Sequence, residues 1–176
     1  VCLPHAIHLA GLSGIVDEAT RAGLLDRVGQ CQQSLGQYLT AETIHRQCLS
    51  IRAKMLTPEH PKTLISMNNL ALALSDQGKY AEAEKMHRDT LQLREKVLGK
   101  EHLDTLTSMN NLAGALSDQG KYAEAEEMHR NTLQLREKVL GKEHPHTLAS
   151  MDGLAHVLAN QPRYDDSDEQ ASAAHN

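Results

Sequence analysis

Residues 68–84 read NNLALALSDQGKYAEAE, and residues 110–126 read NNLAGALSDQGKYAEAE. The two stretches lie 42 residues apart and differ at one position in 17. When residues 62–102 are aligned with residues 104–144, five of 41 positions differ. Near-identical copies at a fixed period of this length indicate a repeat array, in which one supersecondary unit is stacked several times.

The 42-residue period extends beyond these two copies. Each tyrosine lies 42 residues after the previous one, and three glycines and two sets of histidines keep the same spacing. We therefore predict a lead-in helix over 1–17 and four repeats over 18–59, 60–101, 102–143 and 144–176. The first repeat is diverged, and the last is incomplete and ends in a polar tail. The periodic residues are Tyr38, Tyr80, Tyr122, Tyr164, Gly36, Gly78, Gly120, His45, His87, His129, His60, His102 and His144.

Each period predicts two helices joined by a short turn. Residues 62–75, KTLISMNNLALALS, space apolar side chains three and four positions apart, as one face of a helix requires. Residues 80–99, YAEAEKMHRDTLQLREKVLG, predict a second helix with a buried face that extends to Val97. Gly78 suits the turn because glycine accepts a positive φ, and Gly99 stands where a C-capping glycine belongs.

A helical hairpin of this size cannot bury its apolar face alone, so neighbouring hairpins must stack on it. We therefore predict an all-α fold, a right-handed α-solenoid. The first helix of each repeat lines the inner face, and the second helix lies on the outer face.

Composition excludes several classes of function. The chain has 176 residues, a net charge of −5, four tyrosines and neither Phe nor Trp. Nucleic-acid binding normally needs a basic surface and often aromatic stacking platforms, and this chain offers neither. We expect no nucleic-acid partner.

The cysteines and the N-terminal segment bear on location. Cys2, Cys31 and Cys48 are irregularly spaced, which argues against a disulfide framework or a thiolate metal site and favours a reducing cytoplasm. The apolar opening residues 1–16 lack a basic n-region and are too short to span a bilayer, so we expect neither a signal peptide nor a membrane anchor. Because the first residue is Val rather than Met, we expect a segment of a larger protein.

Most of one period, NNLALALSDQGKYAEAEKMHRDTLQLREKVLGKEH (68–102), resembles the tetratricopeptide repeat, in the 42-residue form typical of kinesin light chains. Gly78 and Tyr80 stand at the turn of that pattern, and Ala83 stands at its small inter-helix position. The resemblance covers about residues 18–164. Near-identical adjacent copies also resemble the C-terminal sensor arrays of NB-ARC- or NACHT-type STAND receptors, although no nucleotide-binding residues are present here.

The resemblance implies a concave groove that binds extended or helical peptides. In the family, an asparagine midway along the first helix commonly hydrogen-bonds the ligand backbone, and Asn69 and Asn111 match that position. The first repeat has Arg27 there and the fourth has Gly153. The predicted groove residues are Asn68, Asn69, Asn110, Asn111, Ile65, Leu72, Thr107, Arg27 and Gln30.

The five differences between the central copies bear on this groove. On the first helix, positions 65 and 72 are seven residues apart and share a face that is offset from the core stripe. Neutral drift and selection for ligand shape both explain such changes, and five events do not separate them. Four aspartates near the groove favour a neutral or basic ligand, namely Asp26, Asp76, Asp118 and Asp152. The differing pairs are Lys62/Asp104, Ile65/Thr107, Leu72/Gly114, Lys85/Glu127 and Asp89/Asn131.

Apparent catalytic and metal motifs have structural explanations. HRDT at 87–90 imitates a kinase motif, but it lies within a predicted helix and no DFG follows. Histidines in three successive repeats are too far apart to share one ion, because packed helices are about 8–10 Å apart and zinc–nitrogen bonds are about 2 Å. We expect His45, His87 and His129 to be packed within the array. We therefore predict no enzyme activity, no cofactor and no metal.

We interpret the chain as a non-enzymatic scaffold that binds a protein or peptide ligand in its concave groove. The alternative is a regulatory array of a larger STAND-type receptor, which packs on its own chain or self-associates.

Overall fold

The computed structural model describes residues 17–161, and within this range the chain is helical, without β-strands. The lead-in helix predicted over 1–17 and the tail from 162 onward therefore lie outside the described residues, apart from Asp17, which caps the first helix. The helices are α1 (Glu18–Ser34), α2 (Tyr38–Met55), α3 (Pro61–Ser75), α4 (Tyr80–Leu98), α5 (Leu103–Asp118), α6 (Tyr122–Leu140) and α7 (Pro145–Asn160).

The helices stack as consecutive hairpins, which confirms the predicted α-solenoid. Each helix packs against the next one in the chain, and each odd-numbered helix also contacts the next odd-numbered helix. Among residues 17–161 the backbones of the even-numbered helices lie farther apart, and these helices meet only through side chains, as Arg88 Nη2 and Glu124 Oε2 do at 2.8 Å. The array therefore curves with α1, α3, α5 and α7 on its inner face, as predicted for the first helices.

The turn inside each hairpin is set by one glycine. In the second repeat, Gly78 has a φ of 75°. The Lys79 amide donates to the Leu74 carbonyl at 3.0 Å, and the Gly78 amide donates to the Ser75 carbonyl at 2.8 Å. This pair of bonds is a Schellman motif, which needs a residue in the left-handed region. Gly36 and Gly120 repeat the arrangement.

Local signals also fix the junction between repeats. Gly99 and Gly141 have positive φ at the ends of α4 and α6, as predicted. His60 caps α3, because its Nδ1 accepts the Lys62 amide at 3.1 Å, and Pro61 occupies the first turn, where no N–H is needed. His102 and His144 cap α5 and α7 in the same way.

The core follows the predicted stripe on α3, and on α4 it departs from the predicted face only near the end of the helix. Leu70 and Leu74 pack on Ala83, and all three are almost fully buried. On α4 the prediction for Val97 was wrong, since Val97 is 42% exposed and Arg94 is only 4% exposed. The arginine is buried because it bonds to the next repeat, which hydrophobic periodicity does not reveal.

Two glycine substitutions test these assignments. An alanine at position 78 must adopt a left-handed φ, so we expect Gly78→Ala to lower the free energy of unfolding by about 1–2 kcal/mol. Gly114 lies within a helix, and a Cβ there would meet no atom within 4 Å. We therefore expect Gly114→Ala to raise the free energy of unfolding by about 0.5–1 kcal/mol. Urea unfolding followed by circular dichroism measures both. Changes of the same sign would contradict the turn assignment.

Candidate binding groove

The inner face carries one line of side chains per odd-numbered helix, which we call the inner stripe. On α3 and α5 its members are spaced by three and four residues, and each is exposed or half-buried, whereas most of their neighbours in the sequence are buried. The stripe is Lys62, Ile65, Asn69, Leu72 and Asp76 on α3, and Asp104, Thr107, Asn111, Gly114 and Asp118 on α5. Arg27 and Gln30 hold the corresponding places on α1 and are exposed.

Apolar contact and open space alternate along the inner stripe. Ile65 is 39% exposed, and Leu72 is half-buried one helical turn from the asparagine. In the next repeat Gly114 replaces the leucine and leaves a hollow, since no side chain fills the space where its Cβ would stand. Thr107 replaces the isoleucine and donates its hydroxyl to the Leu103 carbonyl at 2.9 Å. The two repeats therefore present different shapes on the same backbone.

The adjacent asparagines of each pair have different surroundings. Asn69 and Asn111 lie on the inner stripe and are half-buried. Asn68 is only 9% exposed and lies at the contact between repeats, where its Oδ1 accepts Asn111 Nδ2 at 2.9 Å. Asn110 is half-buried, and its Oδ1 accepts the Ser150 hydroxyl at 3.4 Å. Of the predicted groove residues, Asn68 and Asn110 thus accept hydrogen bonds from the following repeat, whereas Asn69 and Asn111 lie on the inner stripe and donate to the preceding repeat.

The contact between repeats depends on a buried arginine that sequence reasoning missed. Arg94 Nη1 donates to the Asp104 carbonyl at 2.7 Å and to Ser108 Oγ at 2.8 Å. Both acceptors lie on α5, so the guanidinium of α4 holds the first turns of the next inner helix. Arg52 and Arg136 make the equivalent bonds to the next repeat. The available signal was an arginine recurring every 42 residues, with a serine 14 residues after it.

Only the first of these arginines has a carboxylate partner among the described residues. Asp26 Oδ2 lies 3.1 Å from Arg52 Nη2, and Asn68 and Asn110 occupy the positions equivalent to Asp26 in the next two repeats. Burial lowers the pKa of Arg94 and of Arg136. Because the charge of Asp26 is paired with Arg52, the groove is less acidic at Asp26 than the sequence predicted.

A second polar cluster joins the repeats near the hairpin turns. Glu84 on α4 accepts Lys121 Nζ at 2.6 Å, Gln119 Nε2 at 2.9 Å and Arg88 Nε at 2.9 Å. The hydrogen bond from Lys121 is the largest cause that lowers the pKa of Glu84, to about 2. Glu42 has the same environment one repeat earlier.

Carboxylates mark one end of the inner stripe. Asp76 and Asp118 are exposed at the ends of α3 and α5, and Asp76 accepts Gln33 Nε2 at 2.5 Å. Partial burial raises the pKa of Asp118, the His156 charge lowers it, and the Asp76 charge raises it. The charge at this end of the groove is therefore negative.

The recurrent histidines of the outer helices, His45, His87 and His129, are buried within the array, as expected. A Cβ on Gly29 would lie 2.5 Å from His45 Cε1, and one on Gly153 would lie 2.6 Å from His129 Cε1, so these rings need glycine beside them. Among residues 17–161, neither ring nitrogen of His45 or of His87 has a hydrogen-bond partner. Within residues 17–161, no three His, Cys, Asp or Glu side chains are grouped to hold a metal ion. No helix in that range is long and apolar enough to cross a membrane.

Comparison with known families identifies the repeat. The family described as Tetratricopeptide repeat matches residues 33–62, 63–104 and 105–146, which together span well over half of the chain. The matched units are 42 residues long in their complete form, like the predicted repeats, and start about three residues later. Comparison with curated protein sequences gives no match.

Solved structures share the fold. A crystal structure of a point variant of a Podosopora anserina putative kinesin light chain, with nearly identical TPR-like repeats, has a TM-score of 0.77 at 28% identity, covering 97% of this chain and 84% of that one. A second structure of that protein is 30% identical over 88% of this chain and 72% of its own, with a TM-score of 0.69. A Rap protein complexed with Competence and Sporulation Factor has a TM-score of 0.75 at 18% identity, covering 95% of this chain and 45% of that one.

Paired substitutions test the charge balance between repeats. Asp26→Asn replaces the carboxylate beside Arg52 by a neutral amide, which is the residue type at the equivalent position for Arg94. Asn68→Asp makes the opposite change and gives Arg94 a counter-ion, and the new carboxylate can still accept the hydrogen bond from Asn111. We expect the first to lower and the second to raise the free energy of unfolding, each by about 1–3 kcal/mol, because hydrogen bonds to charged groups exceed neutral ones. Chemical denaturation at fixed pH measures this. A stabilising Asp26→Asn would contradict the assignment.

The buried His87 side chain should make the stability of the array sensitive to acid. Burial, followed by the Arg94 charge, lowers its pKa from 6.5 to about 4. The unfolded chain takes up the proton first, so stability present above pH 6.5 is lost as the pH falls towards 4. Between about pH 7 and pH 5, wild type should lose about 1–2 kcal/mol more unfolding free energy than His87→Leu. Urea titrations at both pH values give the comparison, and equal losses would refute this explanation.

Proposed function

Because the chain belongs to the tetratricopeptide repeat family, we propose that it is a non-enzymatic interaction module that binds a segment of a partner protein. The partner segment lies along the inner face at α3 and α5, and the ends of the groove are completed by α1 and α7. The free thiols of Cys31 and Cys48 support action in a reducing compartment such as the cytoplasm.

The distribution of differences between the two central repeats carries the proposal. None of the ten residues at the five differing positions is buried, so every buried position is identical in both copies. Three of the five pairs, Lys62/Asp104, Ile65/Thr107 and Leu72/Gly114, lie on the inner stripe. A constant core that presents a varying inner face is the arrangement expected of a recognition surface, since solenoids bind partners along their concave side.

Shape and charge define the ligand that fits. Ile65 and Leu72 offer apolar contact, and the hollow at Gly114 accepts a larger side chain from the partner. Asp76 and Asp118 favour a neutral or basic segment over an acidic one, and they disfavour a nucleic-acid backbone. An extended or helical peptide supplies the backbone groups and side chains that such a groove recognises.

Selection from a random-peptide display library tests the proposal. Wild type should enrich related peptides, and Asn69→Ala with Asn111→Ala should lose them, because the central inner face loses both amides. Lys85→Glu with Asp89→Asn serves as the matched control, since it copies the third repeat onto the outer helix of the second and should leave enrichment unchanged. Enrichment that survives the double alanine variant would place the site elsewhere.

Absence of any enriched peptide would instead favour the alternative, a regulatory array that packs on its own chain or self-associates. Sedimentation of the wild-type protein over a concentration range would then detect self-association directly.

A second library experiment tests the shape of the groove. Leu72→Gly with Gly114→Leu exchanges the hollow between repeats without changing composition. We expect the exchange to shift the position of the bulkiest consensus side chain along the enriched peptides, because the space that receives it moves by one repeat. An unchanged consensus would show that the hollow takes no part in recognition.

A further inference from the structure

The last inner helix, α7, has a face that no described helix covers. Within residues 17–161, α7 packs on α6 and α5. Ser150 and Val157 lie on the packed side and are fully buried, and Val157 joins the apolar cluster of the third hairpin. Leu148 and Leu158 are each 44% exposed, although both are large and apolar. The helix is therefore held firmly on one side and open on another.

This uncovered surface, which we call the open face, has the same apolar residues as α5. In α5 all five are buried, and Leu112 and Leu116 pack against Ala125 of α6. In α7 none of the five is buried. The two helices thus carry the same contact surface, and only α5 has an outer helix upon it. The open face is Leu148, Met151, Leu154, Ala155 and Leu158, and its counterparts in α5 are Leu106, Met109, Leu112, Ala113 and Leu116.

The contact between α5 and α6 shows which kind of helix this surface accepts. In α6, Ala125 is fully buried against the leucines, and Tyr122 and Met128 pack at its sides, three residues away in each direction. The small alanine lets the two helices approach closely, and the larger side chains fill the flanking space. Because the open face has the same residues in the same spacing, a helix with the pattern of α6 fits it.

The residues that follow α7 do not carry that pattern. Residues 162–176 contain no Leu, Ile, Val or Met, so covering the open face with them would bury little apolar side-chain surface. A serine stands at the position of the alanine, and a glutamine stands at that of the methionine. The three positions are Tyr164, Ser167 and Gln170, where α6 has Tyr122, Ala125 and Met128.

The turn that leads to a second helix is also altered at the fourth repeat. Gly120 has a φ of 75° in the turn between α5 and α6, and Pro162 stands 42 residues later. A proline ring fixes φ at about −65°, so residue 162 cannot adopt the left-handed conformation of that turn. The sequence therefore offers no counterpart of the α5–α6 turn after α7.

We propose that the open face is a docking surface for an amphipathic helix of a partner protein, with a small residue at the centre of its apolar stripe and a large apolar residue three positions to either side. Such a helix would complete the fourth hairpin from outside the chain. Gly153 and His156, which correspond to Asn111 and Gly114 of the inner stripe, lie on another side of α7. The site is therefore separate from the proposed groove.

A peptide with the sequence of α6, residues 122–140, is the probe. It is labelled with fluorescein and titrated with the whole chain, and anisotropy gives its Kd. We expect a Kd of about 10–100 µM, because a free helix of 19 residues must order on binding and forms one helix contact.

Matched substitutions locate the site. Leu158→Glu should weaken the peptide at least about tenfold, because a buried leucine contact is replaced by a charge. The control is Leu103→Glu, which changes a leucine of equal exposure, 45%, that lies outside the open face at the start of α5. It should leave the Kd within about twofold of wild type. Equal Kd values for the two variants would overturn the inference.

A second peptide tests the required pattern without any change to the protein. Ala125→Ser with Met128→Gln gives the probe the residues found at 167 and 170. We expect it to bind at least about tenfold more weakly, because the small-and-large apolar pattern is lost. Equal binding of both peptides would contradict the inference, since residues 162–176 would then suit the face as well as α6 does.

Sedimentation of the chain alone distinguishes the remaining occupant. We expect a monomer at the concentrations of the titration. A dimer that Leu158→Glu abolishes would show that a second copy covers the open face, and the inference would be wrong. Failure of the α6 peptide to bind would overturn it as well. Neither result bears on the selection of groove peptides, which tests the inner stripe.

Discussion

Buried arginines that cross from one repeat to the next are the interaction on which this array depends. A single hairpin leaves most of its apolar surface exposed, so its fold is stable only when the next inner helix is correctly placed. Each guanidinium donates hydrogen bonds to a first-turn carbonyl and to a serine of that helix, as Arg94 does to Asp104 and Ser108. The guanidinium and its two partners thereby satisfy one another's hydrogen-bonding groups away from solvent, and the register between neighbouring hairpins is fixed.

The same contacts decide which side chains remain for function. With the register fixed, buried positions admit little variation, and the two central repeats are identical at all of them. Sequence variation is therefore confined to surface positions. Among these, the inner stripe has the most varied chemistry, from Ile65 and Leu72 to the hollow at Gly114. The bonds from Asn69 and Asn111 to the preceding repeat stabilise the stacking and also orient these two amides on the inner stripe.

Local features could be read from the sequence, and features that cross repeats could not. The 42-residue period, the turn at Gly78 and the start at Pro61 depend on a few adjacent residues, so pattern and turn chemistry suffice. Burial of Arg94 instead of Val97 depends on acceptors in the next repeat, which no amphipathic pattern contains. Side chains of adjacent helical residues point about 100° apart, so one of Asn68 and Asn69 had to lie at the contact between repeats and the other in the groove. Only the structure shows which residue has which place.

We have proposed that the inner face of α3 and α5 binds the partner segment. The most direct measurement is a ¹H–¹⁵N chemical-shift titration of the labelled protein with a peptide enriched on it. We expect the largest shifts on the backbone of Ile65, Leu72 and Thr107 and on the side-chain amides of Asn69 and Asn111. Shifts concentrated on the outer helices α4 and α6, with the inner stripe unmoved, would contradict it.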